Sequence, residues 1–142
     1  MPQKFTVCNE EALSSVSNYL KSEIESTGRT IVLLNGNLGA GKTTLVKNYL
    51  NENYGVTDVD SPTFSLVNDY KINGKSIHHF DLYRLIDIVE IEDIGFWDYV
   101  DSENICFIEW PDKIADILPE DQVIKVDIDL SLNQCREFSI HY

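Results

Sequence analysis

Residues 31–34, Ile-Val-Leu-Leu, form an unbroken apolar run rich in branched side chains, which predicts a strand buried on both faces. Further on, Leu45, Val46, Tyr49 and Leu50 recur at helical spacing and predict an amphipathic helix ending near Tyr54 and Gly55. An earlier helix is expected over Leu13, Val16, Leu20 and Ile24, with Asn9 as its N-cap and Gly28 as its stop. Residues 4–8 alternate weakly and suit a short strand. Residues 64–70 alternate more clearly, Asn73-Gly74 signals a hairpin turn, and residues 76–83 return as the partner strand. Residues 86–100 look helical in two pieces broken at Gly95. A second fully buried strand over residues 105–108 runs into Glu109-Trp110-Pro111, and residues 114–118 suggest a helical turn before Pro119. Residues 123–130 and 136–142 alternate again and predict a closing antiparallel pair.

Between the first buried strand and its helix lies Gly36-Asn37-Leu38-Gly39-Ala40-Gly41-Lys42-Thr43, which fits the phosphate-binding loop G-x-x-x-x-G-K-[ST]. Glycines let the backbone curl around a phosphate chain, and the helix that follows offers unpaired amides and the positive end of its dipole. Asn37, Leu38, Gly39, Ala40, Gly41, Lys42, Thr43 and Thr44 are therefore candidate nucleotide-binding residues. In such a loop the lysine reaches the β- and γ-phosphates and the threonine hydroxyl ligates Mg²⁺. The element order then predicts an α/β, P-loop NTPase-type three-layer fold across one domain, residues 1–142. Its sheet is expected to be mostly parallel at the centre with antiparallel strands at the edge.

The composition narrows the partners. Twenty-four acidic against 11 basic residues give a formal net charge of −13, with no basic stripe, so the surface should repel nucleic acid. The three cysteines, Cys8, Cys106 and Cys135, show no paired spacing, which predicts reduced thiols in a cytosolic setting and no zinc site. No basic-then-apolar leader pattern and no apolar run of membrane-spanning length is present, so a cytoplasmic protein is expected.

Binding phosphate is not yet chemistry. Glu109 ends an apolar strand, where the second carboxylate of a nucleotide–Mg²⁺ site belongs, although a rim carboxylate would read the same way. Thr63 sits in the Pro-fixed loop Ser61-Pro62-Thr63, as a γ-phosphate-sensing switch threonine would, or as an ordinary turn residue. Asp81 ends the strand carrying His78 and His79; it can face the nucleotide or cap the next element. The two histidines point to opposite faces of that strand; one is expected to be structural, and neither is assigned a metal. Of Arg29, Arg84 and Arg136, none is guaranteed to approach a γ-phosphate, so slow hydrolysis is expected of the protein alone.

Taken together, the phosphate loop through Thr44, Ser61-Pro62-Thr63-Phe64, His79-Phe80-Asp81-Leu82-Tyr83-Arg84 and Ile108-Glu109-Trp110-Pro111 resemble the bacterial TsaE (YjeE/YdiB-type) ATPases. The resemblance implies binding and hydrolysis of ATP with Mg²⁺, in support of threonylcarbamoyladenosine formation beside the tRNA anticodon. It implies TsaB and TsaD subunits as partners, with the transferase site on TsaD. It also implies Lys42, Thr63, Asp81 and Glu109 as catalytic residues, Thr43 and Glu109 as metal ligands, and Arg136 near the nucleotide base. Trp110 would lie at the site rim or a partner surface. Phe64 stands where tyrosine is common, and residues 85–92 are more apolar than the usual acidic helix of the family.

Two other enzyme classes fit the sequence less well. A GTPase-like switch would need N-K-x-D to read guanine, and Asp112-Lys113 lacks the preceding Asn. A small-molecule kinase would want an arginine-bearing lid, which three scattered arginines serve poorly. A nonenzymatic adaptor with a vestigial loop is disfavoured by the intact Lys42, Thr43 and Glu109.

Overall fold

In a computed structural model, which describes residues 2–62, 66–131 and 133–142, seven strands form one sheet in the order β1-β7-β6-β2-β5-β4-β3. The strands are β1 (Gln3–Val7), β2 (Ile31–Gly36), β3 (Val67–Ile72), β4 (Lys75–Asp81), β5 (Ile105–Glu109), β6 (Val123–Leu130) and β7 (Arg136–His141). The helices are α1 (Leu13–Thr27), α2 (Lys42–Tyr54), α3 (Val89–Asp93) and α4 (Phe96–Asp101). Strands β6, β2, β5 and β4 run parallel, while β3 at one edge and β7 and β1 at the other pair antiparallel. The expected parallel centre with antiparallel edges is thus the observed one.

The apolar run of β2 shows why the fold has three layers. Side chains alternate across a strand. Val32 and Leu34 therefore join the core beneath α1 and α2, and Ile31 and Leu33 join the core beneath α3 and α4. Helix α1 contributes Leu13, Val16, Leu20 and Ile24 to the first core, as its periodicity predicted. Truncating the fully buried Leu20 to Ala would cost about 2–5 kcal/mol.

Boundaries moved where local chemistry competed. The Asn9 side chain accepts from the Ala12 amide at 2.9 Å, capping a turn, and α1 itself begins at Leu13. Gly28 closes that helix in the left-handed conformation at φ 73°, as expected. The Asn73-Gly74 turn joins β3 to β4 with both residues at positive φ, the geometry a two-residue hairpin demands. The chain between α4 and β6 includes β5 and short 3-10 turns at Pro111–Lys113, Ala115–Ile117 and Glu120–Gln122.

The cysteine expectation is overturned. Cys8 and Cys135 are joined in a disulfide with Cα atoms 4.2 Å apart, across 127 residues of sequence. The cause is the antiparallel pairing of β1 with β7, whose register sets Val7 opposite Arg136 and so brings their neighbours together. Only Cys106 is a free thiol, and burial pushes it up to about 12. No helix among the described residues is long and apolar enough to cross a membrane.

Candidate functional site

The carboxyl ends of β2, β4 and β5 lie at one edge of the sheet, because the three run parallel in register: Leu34 faces Glu109 and Glu109 faces Asp81. Ligands of open α/β sheets bind outside such strand ends. The glycine loop leaves β2 at this edge and enters α2 at Lys42.

Two glycines are required by space as well as by conformation. A Cβ on Gly36 would lie 3.0 Å from both the Ile128 carbonyl oxygen and the Ala40 Cβ. Gly41 precedes α2 at φ 115°, and a Cβ there would meet the Arg136 side chain at 3.3 Å. Among the described residues no side chain caps the α2 N-terminus, which leaves its first amides open to a ligand. Ala40 is buried and donates its amide to the Asn37 carbonyl at 2.9 Å, which tightens the loop, while Leu38 stands exposed at the tip.

Lys42 is only 5% exposed. Its Nζ donates to the carbonyl oxygens of Gly36 at 2.5 Å and Asn37 at 3.1 Å and lies 3.8 Å from the Trp110 ring centroid. Burial, by removing hydration, holds its ammonium below the ordinary lysine value, against the opposing pull of Glu109, Asp81 and Asp112. A lysine that satisfies itself on its own loop is poised to exchange those carbonyls for phosphate oxygens.

Glu109 is 3% exposed at the end of β5. Its Oε2 accepts from Thr43 Oγ1 at 2.8 Å and contacts His79 Nε2 at 2.5 Å. Asp81 caps the turn that follows its strand, Oδ1 accepting the Tyr83 amide at 3.1 Å, while Oδ2 accepts the Ser61 hydroxyl at 3.1 Å. Lys42, Thr43, Thr44, Asp81, Glu109 and Arg136 all line one cleft of about 250 Å³. Arg136 reaches it from the start of β7 and donates to the Gly39 carbonyl at 3.3 Å. Arg84 lies on the exposed turn beyond β4, and it is Arg136 that lines the cleft. Thr63 and Phe64 lie outside the described residues.

Sequence reasoning set the two histidines on opposite faces of their strand but did not say which was structural, and it missed the contact of His79 with Glu109. His78 turns to the opposite face, against Asp69 at 2.7 Å and the Tyr99 ring at 4.6 Å, and is the structural member of the pair. The same parity, carried two residues further, sets His79 on one face of β4 with Asp81. Among the described residues no group of three His, Cys, Asp or Glu side chains could hold a metal ion. Thr43 and Glu109 are a sparse oxygen set that suits Mg²⁺, which keeps several waters and takes its remaining ligands from phosphates.

The family model described as "Threonylcarbamoyl adenosine biosynthesis protein TsaE" matches residues 7–138. A protein of Haemophilus influenzae named tRNA threonylcarbamoyladenosine biosynthesis protein TsaE is 50% identical over 99 residues, covering 70% of this chain and 62% of its own. The Bacillus subtilis protein of the same name is 37% identical over 94 residues, 66% of this chain and 58% of its own. That of Rickettsia conorii is 36% identical over 139 residues, 95% of this chain and 75% of its own. With the first two, the match spans about three-fifths of the relative's length. The crystal structure of Bacillus subtilis YdiB superposes with a TM-score of 0.71 at 22% identity, over 99% of this chain and 84% of that one, a likeness of fold. The chain belongs to the TsaE family.

Proposed function

We propose that this protein is a Mg²⁺-dependent ATPase that supports threonylcarbamoyladenosine modification of tRNA, working in the cytoplasm with TsaB and TsaD homologues. The observation that carries the reading is the convergence of Lys42, Thr43 and Glu109 at the uncapped N-terminus of α2. A Mg²⁺ ion held there would neutralise charge on the phosphate oxygens of ATP.

The residues around it divide the work. The amides of residues 39–44 and Lys42 bind the phosphates and replace their hydration. Thr43 and Glu109 hold the metal, and Glu109, buried and doubly contacted, keeps its carboxylate in place without reorganisation. Asp81, tied to Ser61 at the end of the 58–62 segment, orients water or a metal-bound water, and Thr63 follows two residues after Ser61 as the proposed γ-phosphate sensor. An adjoining cleft of about 240 Å³, carrying Asn9, Thr44 and Arg136, is the proposed place for the base.

Two features support a partner. The segment leaving β4 exposes Tyr83, Ile86, Ile88 and Val89, apolar side chains that a monomer has little reason to display together. The net charge of −13 disfavours direct contact with tRNA, so another subunit would hold the RNA. Steady-state ATPase of the protein alone and with both partners, together with filter binding of tRNA, tests the reading. Slow basal turnover, stimulation by the pair and negligible tRNA binding are expected; fast turnover indifferent to the pair, or tight tRNA binding alone, would overturn it.

A further inference from the structure

Glu109 presents a problem in desolvation. A carboxylate 3% exposed at the end of a central strand needs strong donors, and two are present, both on Oε2: the Thr43 hydroxyl and the His79 imidazole. Oε1 accepts no hydrogen bond among the described residues. The two donors differ in origin. Thr43 belongs to the phosphate loop and changes partners when the loop fills. His79 comes from the neighbouring strand β4, is 0% exposed, and is fixed by the β4–β5 register that sets it opposite Phe107. Its other ring nitrogen, Nδ1, is buried with no hydrogen-bond partner among the described residues. A bare ring acceptor is tolerated there more easily than a bare N–H donor, so the geometry favours the tautomer with its proton on Nε2, donated to Glu109.

We propose that His79 is a positioning residue for the metal carboxylate: its Nε2–H pins Oε2 of Glu109 from the adjacent strand and leaves Oε1 available to Mg²⁺ or its bound water. This rests on the reading of Glu109 as the Mg²⁺-side acid. Outer donors of this kind typically change metal affinity or activity by about 10–100-fold when removed. Sequence reasoning assigned His79 no such role even though it opens the His79-to-Arg84 motif, because its contact with Glu109 is created by the pairing of β4 with β5.

The test uses the intact protein and three variants, Glu109→Gln, His79→Leu and His79→Gln. The glutamine side chain can return an N–H donor near the Nε2 position; leucine cannot. Nucleotide affinity is measured in EDTA and across a Mg²⁺ titration, and the His79 side-chain N–H is sought by ¹⁵N–¹H NMR in the nucleotide-free protein. The expected result is EDTA affinity within twofold of wild type for both His79 variants. The Mg²⁺ midpoint should rise about tenfold in His79→Leu and recover most of the way in His79→Gln. An exchange-protected imidazole N–H should be present in wild type and shift in Glu109→Gln. If Glu109→Gln raises the Mg²⁺ midpoint and folded His79→Leu does not, the positioning role is overturned while the ATPase reading stands. If the variants weaken binding equally in EDTA and Mg²⁺, His79 is structural only and the proposal fails. Should His79→Leu not fold, the wild-type and Glu109→Gln spectra decide, and an imidazole N–H that ignores Glu109→Gln overturns it. Wild-type nucleotide binding that ignores Mg²⁺ removes the ATPase reading and this inference with it.

Discussion

The Lys42 ammonium lies over the face of the Trp110 indole, 3.8 Å from the ring centroid, and Trp110 holds this pose from a left-handed backbone at φ 56°. A cation on an aromatic face contributes about 0.5–2 kcal/mol, and a non-glycine residue in that backbone region stores strain of about 1–3 kcal/mol, so the pair forms a poised contact. Lys42 cannot serve both the ring and a phosphate chain fully. Adding ATP to the protein should therefore change Trp110 emission. Trp97→Phe should leave the change intact and Trp110→Phe should abolish it; an unchanged spectrum on saturation would show that Lys42 stays where it is.

Lys42→Ala should weaken nucleotide binding or hydrolysis at least tenfold, about 1.4 kcal/mol, while the fold persists. Unchanged binding and turnover in a folded variant would remove the phosphate-loop assignment.

The same lysine gives a pH dependence of defined sign. Burial lowers its folded-state value below 10.5, so between the lowered value and 10.5 the unfolded chain binds more protons than the folded one. The cost of burying the ammonium is complete below the lowered value and disappears above 10.5; this group's contribution makes stability rise with pH across that window. Nucleotide binding runs the other way, because phosphate wants the ammonium. Affinity should fall as pH rises through the window, and Lys42→Arg should flatten the fall. A slope that persists in Lys42→Arg would point to another group.

Glu109→Ala should impair hydrolysis more than binding, since the loop amides and Lys42 remain while the metal and water are mispositioned. Single-turnover hydrolysis set beside a binding isotherm separates the two. An equal loss in both would make Glu109 a primary binding or structural residue.

Gly36→Ala and Gly41→Ala should each destabilise by about 1–3 kcal/mol, for different reasons. The first drives a methyl against the Ile128 backbone and Ala40; the second forces a left-handed backbone beside Arg136. Pairing Gly41→Ala with Arg136→Ala should recover the crowding but not the backbone cost, a coupling that thermal or denaturant unfolding of the double-mutant cycle measures.

Thiol counting tests the corrected cysteine picture. The folded protein with its disulfide formed should show no reactive thiol, mild reduction should expose Cys8 and Cys135, and Cys106 should react only after unfolding. Reduction should lower stability by about 2–4 kcal/mol without unfolding the chain, because β1 and β7 remain paired over residues 3–7.

The helices were legible because one-sided burial sets their periodicity, as at Leu13, Val16, Leu20 and Ile24, and β2 and β5 because burial on both faces leaves an unbroken apolar run. The glycine loop and the place of Glu109 at the end of β5 were legible because strand ends and glycine spacing are local in sequence. The Cys8–Cys135 bond and the His79–Glu109 contact were not, since each is created by a strand pairing whose register no local pattern specifies. Asp81 fell between: its cap to Tyr83 is a local habit of aspartate, while its bond to Ser61 needs the fold.

The bonds around the proposed metal carboxylate join residues 30 and 66 apart, His79 and Thr43 each to Glu109. The first needs β4 beside β5 and the second β2 beside β5, so the proposed ATP pocket is complete only once all three strands have paired. Such a pocket would draw the folding equilibrium toward completion whenever nucleotide is plentiful, by about 2.7 kcal/mol at a hundredfold excess over its dissociation constant. Cellular energy status would then set how long this polypeptide survives as well as how fast it works.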